Sequence, residues 1–108
     1  MTTKKLLRFK LSAPTVESLK STGERTHISK SELVRLALKY ALPHASKLDL
    51  GSKKSIGATE YCNVHVPVEL HEQINDLTAT DATAKVASVT RALIEYAVEK
   101  DCYYLPSN

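Results

Sequence analysis

The chain has 108 residues, 15 Lys and Arg against 12 Asp and Glu, a formal net charge of +3 and 43% hydrophobic residues. That length supplies one small domain, each half of which alone falls near the size where independent folding becomes marginal. No apolar run approaches the ~20 residues of a membrane span, and the apolar stretch after Met1-Thr2-Thr3-Lys4-Lys5 is too short for a signal peptide, so a cytoplasmic protein is expected. Two cysteines, Cys62 and Cys102, stand far apart without a second pair. That spacing disfavours a disulfide scaffold or a zinc site and leaves reduced, structural thiols as the expectation.

From Leu7 to Ala13 apolar and polar residues alternate, with Leu7, Phe9, Leu11 and Ala13 on one face and Arg8, Lys10 and Ser12 on the other. Period two means a strand with one face buried. Pro14 ends it, because proline gives no ladder donor but suits a helix's first turn. A short, weak helical segment with Val16 and Leu19 follows, up to Gly23. A second helix begins at Ser29-Lys30-Ser31-Glu32, where Ser29 and Glu32 have capping-box spacing and Ile28 can serve as the preceding staple. Its body, Leu33 to Leu42, is apolar except for Arg35 and Lys39, so several neighbours must enclose it.

Pro43 to Glu60 holds two glycines, three serines and three lysines and reads as a linker, with Leu48, Leu50 and Ile56 as possible docking points. An 18-residue flexible segment spans about 23 Å, enough for two halves to pack together. The pattern then repeats. Cys62, Val64 and Val66 alternate with Tyr61, Asn63 and His65 up to Pro67, and Leu70, Ile74 and Leu77 recur at helical spacing. From about Thr83 to Lys100 runs a second strongly apolar helix, with Asp81 or Thr83 as its cap and with Arg91 and Tyr96 spaced as Arg35 and Tyr40 are. From proline to arginine the first copy takes 21 residues and the second 24. A few loop residues or one helical turn would account for the difference. The expected organisation is a first repeat over 1–42, a linker over 43–60 and a second repeat with a short tail over 61–108, co-folded because neither copy can bury its own apolar surface.

Charge divides along the same boundary. Residues 1–42 carry nine Lys or Arg against three Asp or Glu, whereas 61–108 carry three against seven. A basic half beside an acidic half points to an anionic partner gripped mainly by the first copy, with an ordinary solvated surface as the alternative.

Strand, proline, helix and a Ser-Lys-Ser-Glu helix start resemble the ribbon-helix-helix family of Arc, MetJ and CopG type. The residues that carry the likeness are Ile28-Ser29-Lys30-Ser31-Glu32-Leu33-Val34-Arg35 and Val64-His65-Val66-Pro67-Val68-Glu69-Leu70. It covers nearly the whole chain apart from the linker and the tail after about Asp101, and the tandem form is similar in architecture to TraY-type fused members. The resemblance implies a mainly α fold with a short two-stranded antiparallel β-ribbon, one strand from each repeat, forming an intramolecular pseudo-dimer. It also implies that the ribbon enters the major groove of double-stranded DNA.

On that reading the outward strand residues Arg8, Lys10, Ser12, Tyr61, Asn63 and His65 face the bases. Arg and Lys can donate to guanine, Asn can engage adenine, and Ser is adaptable. Any half-exposed strand also turns polar residues outward, so it is the pairing of two such strands that favours base reading. Phosphate contacts are expected at Ser29, Lys30 and Ser31 and at Thr83, Ala84 and Lys85, where a helix start offers unpaired N–H groups, and at Lys4 and Lys5 as a basic arm. Arg35 and Arg91 are expected to make internal ion pairs or cap contacts. His27, His44, His65 and His71 lack ligand spacing. No metal, cofactor, membrane or small-molecule substrate is expected, and no catalytic constellation appears. The expected function is sequence-specific DNA binding by a repressor or regulator of a mobile element, with further copies possible along the DNA. A relaxosome accessory protein of conjugative transfer and an antitoxin that represses its own promoter are the alternatives.

Overall fold

In the computed structural model, which describes residues 4–47, 58–80, 86–100 and 103–104, the first alternating segment becomes strand β1, Lys4–Ser12. Helix α1, Ala13–Thr26, follows without a loop, with Pro14 in its first turn. Ala13 is therefore exposed at a helix start and does not continue the buried strand face as its parity suggested. Helix α1 also runs through Gly23, where the sequence suggested an end. It stops at His27, which adopts the left-handed conformation (φ 60°) and donates its N–H to the Gly23 carbonyl at 2.8 Å. Glycine serves a close approach here, since a Cβ at position 23 would lie 3.0 Å from the Ile28 carbonyl oxygen.

Helix α2, Lys30–Ala41, starts as its sequence indicated: the Ser29 hydroxyl accepts the Glu32 N–H at 3.2 Å. The other half of a capping box is absent, because the Glu32 carboxylate turns to Arg35 instead. A short 3-10 helix, Leu42–Lys47, then carries the chain beyond the expected end of the first repeat and buries Ala45. Strand β2, Ala58–Pro67, begins three residues before the expected boundary at 61. The connecting segment is thus shortened at both ends, and Leu48, Leu50 and Ile56 lie outside the described residues. Helices α3, Val68–Thr80, and α4, Val86–Lys100, complete the second half. The expected cap at Asp81 or Thr83 also lies outside the described residues.

Strands β1 and β2 pair antiparallel as one two-stranded ribbon, with Leu7 opposite Val64, Arg8 opposite Asn63 and Phe9 opposite Cys62, and an irregularity between Leu11 and Ser12. An isolated two-stranded ribbon is marginal in water, so it needs a covered face. Leu7, Phe9 and Leu11 supply that face with Cys62, Val64 and Val66. Beneath it α2 and α4 pack on each other, burying Leu33, Val34, Ala37, Leu38 and Ala41 against Val89, Leu93, Ile94 and Ala97. The near-continuous apolar circumference of both helices has its reason here: each is enclosed by the ribbon, by its partner and by an outer helix. Thr90 is buried in this layer with its hydroxyl donating to the Val86 carbonyl at 2.7 Å. Helix α1 contributes Leu19, Thr15 and Thr22, and α3 contributes Leu70 and Ile74.

The tail is not merely an appendage. Tyr103 is buried in the core, and Arg25 of α1 donates to the Tyr104 hydroxyl at 3.1 Å. Among the described residues no helix is long and apolar enough to cross a membrane.

Candidate nucleic-acid interface

Burial of one ribbon face fixes the opposite one. Its centre is the Arg8–Asn63 pair, whose side chains are exposed and joined by a hydrogen bond from Arg8 Nε to Asn63 Oδ1 at 3.3 Å. On one side lies the pair Leu6–His65 and on the other Lys10–Tyr61. The Lys10 ammonium sits 4.5 Å from the centroid of the Tyr61 ring, a cation–π contact that orders both side chains. The structure therefore brings five of the six expected base-facing residues, Arg8, Lys10, Tyr61, Asn63 and His65, onto one surface. Ser12 differs: it occupies the N-cap position of α1, is half-buried, and shares a 2.8 Å hydrogen bond with the Thr15 hydroxyl.

Lys4 and Lys5 are exposed, but they are the first residues of β1, paired with Pro67 and Val66, and not an arm ahead of the strand as expected. Ser29, Lys30 and Ser31 form the α2 start, with Ser29 and Lys30 exposed. Thr83, Ala84 and Lys85 lie outside the described residues. A concavity of about 310 Å³ opens beside the Lys10–Tyr61 end, lined by Arg8, Phe9, Lys10, Tyr61, Ala87 and Arg91. It joins the outward ribbon face to the first turns of α4.

The two helix arginines hold this surface in place, each reaching across to the strand of the other half. Arg35 Nη1 donates to the His65 carbonyl at 2.7 Å, and Arg91 Nε donates to the Lys10 carbonyl at 2.9 Å. Lys10 and His65 stand two residues beyond Arg8 and Asn63 on their own strands, so the two clamps are related by rotation about the central pair. Arg35 also makes the expected ion pair, with Glu32 at 3.1 Å. Arg91 is buried and Arg35 half-buried. Residue pattern alone indicated that these arginines stay within the fold, but it did not identify strand carbonyls as their acceptors.

Leu6 escaped the sequence reading altogether, although extending the period-two pattern one step back from Arg8 places it outward. Cys62 is a buried member of the covered face. Among the described residues no three His, Cys, Asp or Glu side chains cluster as metal ligands. Comparison with protein-family models, curated proteins and solved structures finds no match to this chain.

Proposed function

We propose that the chain binds double-stranded DNA in a sequence-specific manner as a tandem ribbon-helix-helix protein, its two halves acting as an intramolecular pseudo-dimer. In this reading it works in the cytoplasm by occupying its site, as a repressor or regulator of a mobile element. The observation that carries the reading is the outward ribbon face: a two-stranded ribbon backed by helices, with Arg8 and Asn63 at its centre and Lys10 beside them. A ribbon of this width fits the major groove, and Arg and Asn are the side chains that pair bidentately with guanine and adenine. Exposed Lys4, Lys5 and Lys30 supply charge for the phosphates on either side.

The two strands present different residues outward, so the site read is asymmetric, and the basic first half provides more of the affinity. A transfer-origin accessory protein would use the same surface and differ only in where its site lies.

Selection of bound duplexes from random DNA, followed by titration across salt, tests the proposal. One enriched sequence is expected, with log K falling against log salt by about 0.9 for each phosphate contacted. Absence of enrichment, or binding indifferent to salt, would refute it.

A further inference from the structure

The outward ribbon face carries two large apolar side chains that hydrogen bonding to bases does not use. Leu6 is 45% exposed and Tyr61 70% exposed. Each stands one pair away from the central Arg8–Asn63 pair, on opposite strands and in opposite directions, so the rotation that exchanges the two arginine clamps also exchanges Leu6 with Tyr61. A side chain left in water forgoes the stabilisation that burial supplies, and the cross-strand neighbours on this face, His65 beside Leu6 and Lys10 beside Tyr61, leave both largely exposed. The Lys10 ammonium over its ring holds Tyr61 on the surface.

Charge complementarity identifies the occupant of the face. Lys4 and Arg8 are exposed on the outward side of β1, and Lys10 lies beside them half-buried. This is a cationic surface with two apolar points set into it. The major groove of DNA has the complementary character, since it is anionic and its one apolar group is the thymine 5-methyl.

We infer that Leu6 and Tyr61 read pyrimidine 5-methyl groups, an inference that rests on the DNA-binding reading above. Two residues of strand on either side of the central pair set them about 13 Å apart along the ribbon. That distance matches about four base steps of 3.4 Å. The bound site therefore carries thymines about four steps apart, flanking the base pair that faces Arg8 and Asn63.

Deoxyuridine substitution tests this, because it deletes the 5-methyl and keeps every hydrogen-bonding group of thymine. The full chain selects its site from random duplexes, and each thymine of that site is then replaced singly. Two positions at that spacing lose affinity about four-fold each, the size expected for one buried methyl, and the remaining positions do not. Leu6→Ala erases the thymine–uracil difference at one of the two and Tyr61→Ala at the other, while both variants keep the melting temperature of the parent because neither side chain is in the core. A selected site without thymine overturns the inference and leaves DNA binding standing. So does a site indifferent to uracil, or discrimination that survives both variants. If selection enriches nothing, the DNA-binding reading itself fails and the inference falls with it.

Discussion

At the scale of single residues, burial grades the two arginine clamps. Arg91 is 6% exposed and its Nε reaches the Lys10 carbonyl at 2.9 Å, whereas Arg35 is 20% exposed in its side chain and pairs with a Glu32 that is 46% exposed. Replacing Arg91 with Met keeps the aliphatic stem but leaves the carbonyl without its charged donor, which costs about 1.5–3 kcal/mol. Water can take over at Arg35, so Arg35→Met costs less than about 1 kcal/mol. Urea unfolding of the two variants checks the order, and an Arg35 variant as damaged as the Arg91 one would break it. Arg8 shows the reverse separation. It is exposed, so Arg8→Ala leaves unfolding unchanged yet weakens binding to the selected site by roughly 1–3 kcal/mol if the residue reads a base. Equal loss on random duplexes would reduce it to a phosphate contact. Period two sufficed to place Arg8, Lys10, Tyr61, Asn63 and His65 on one face. The acceptors of Arg35 and Arg91 were illegible, because a carbonyl from the far half of the chain leaves no trace in local pattern.

At the scale of elements, capping explains both the agreement and the misreading. Ser29 was legible because its hydroxyl acts on a helix start next to it in sequence, and Ser29→Ala should lower stability by about 1 kcal/mol. The end of α1 was not legible, because glycine marks a helix stop only when the chain turns left-handed there. Gly23 instead stays helical at a cost of about 1 kcal/mol, and it admits the Ile28 carbonyl oxygen to within 3.0 Å of where a Cβ would stand. The left-handed residue is His27, for which that conformation costs about 1–2 kcal/mol, more than the entropy a glycine would lose. His27→Gly is therefore expected to stabilise the protein by about 0.5–1 kcal/mol, read as a higher midpoint in thermal or urea unfolding. A lower midpoint would mean that the imidazole makes a contact worth more than the strain. The same local logic misaligned the prolines. Pro14 sits inside the first turn of α1 while Pro67 is the last residue of β2, a difference of two positions relative to the strand ends. Measured from the strand ends, Ser12 and Pro67, Arg35 follows after 23 residues and Arg91 after 24, so one residue of the discrepancy remains between strand and arginine.

At the scale of the whole molecule, each half is built to be completed by the other. One strand of the ribbon comes from each half, α2 packs on α4, and each clamp arginine secures the strand of the opposite half. At the far end of the crossing, Tyr40 and Tyr96 stack with ring centroids 6.2 Å apart, and His44 packs against both. A strand without its partner would expose Leu7, Phe9 and Leu11, or Cys62, Val64 and Val66, over a helix pair too small to hide them. Cutting the chain within 48–57 should therefore leave two pieces that are unfolded or self-associated alone and that refold when mixed. Charge decides which pairing wins. Two copies of the first piece would set Lys and Arg of one β1 against those of another, and like charges directly opposite destabilise a ribbon. The first piece is strongly basic and the second acidic, with nine Lys or Arg against three Asp or Glu over 1–42 and three against seven over 61–108. The mixed pair brings opposite charges together and restores both arginine clamps. Mixing should thus yield a one-to-one heterodimer in excess of either homodimer, visible as a single intermediate species by native mass spectrometry, and its preference should weaken as salt screens the charge. A statistical mixture of three dimers would mean that the repeats are interchangeable. In that case the differences between Arg8 and Asn63, and between Lys10 and His65, would belong to the outward face alone and not to the pairing of the halves.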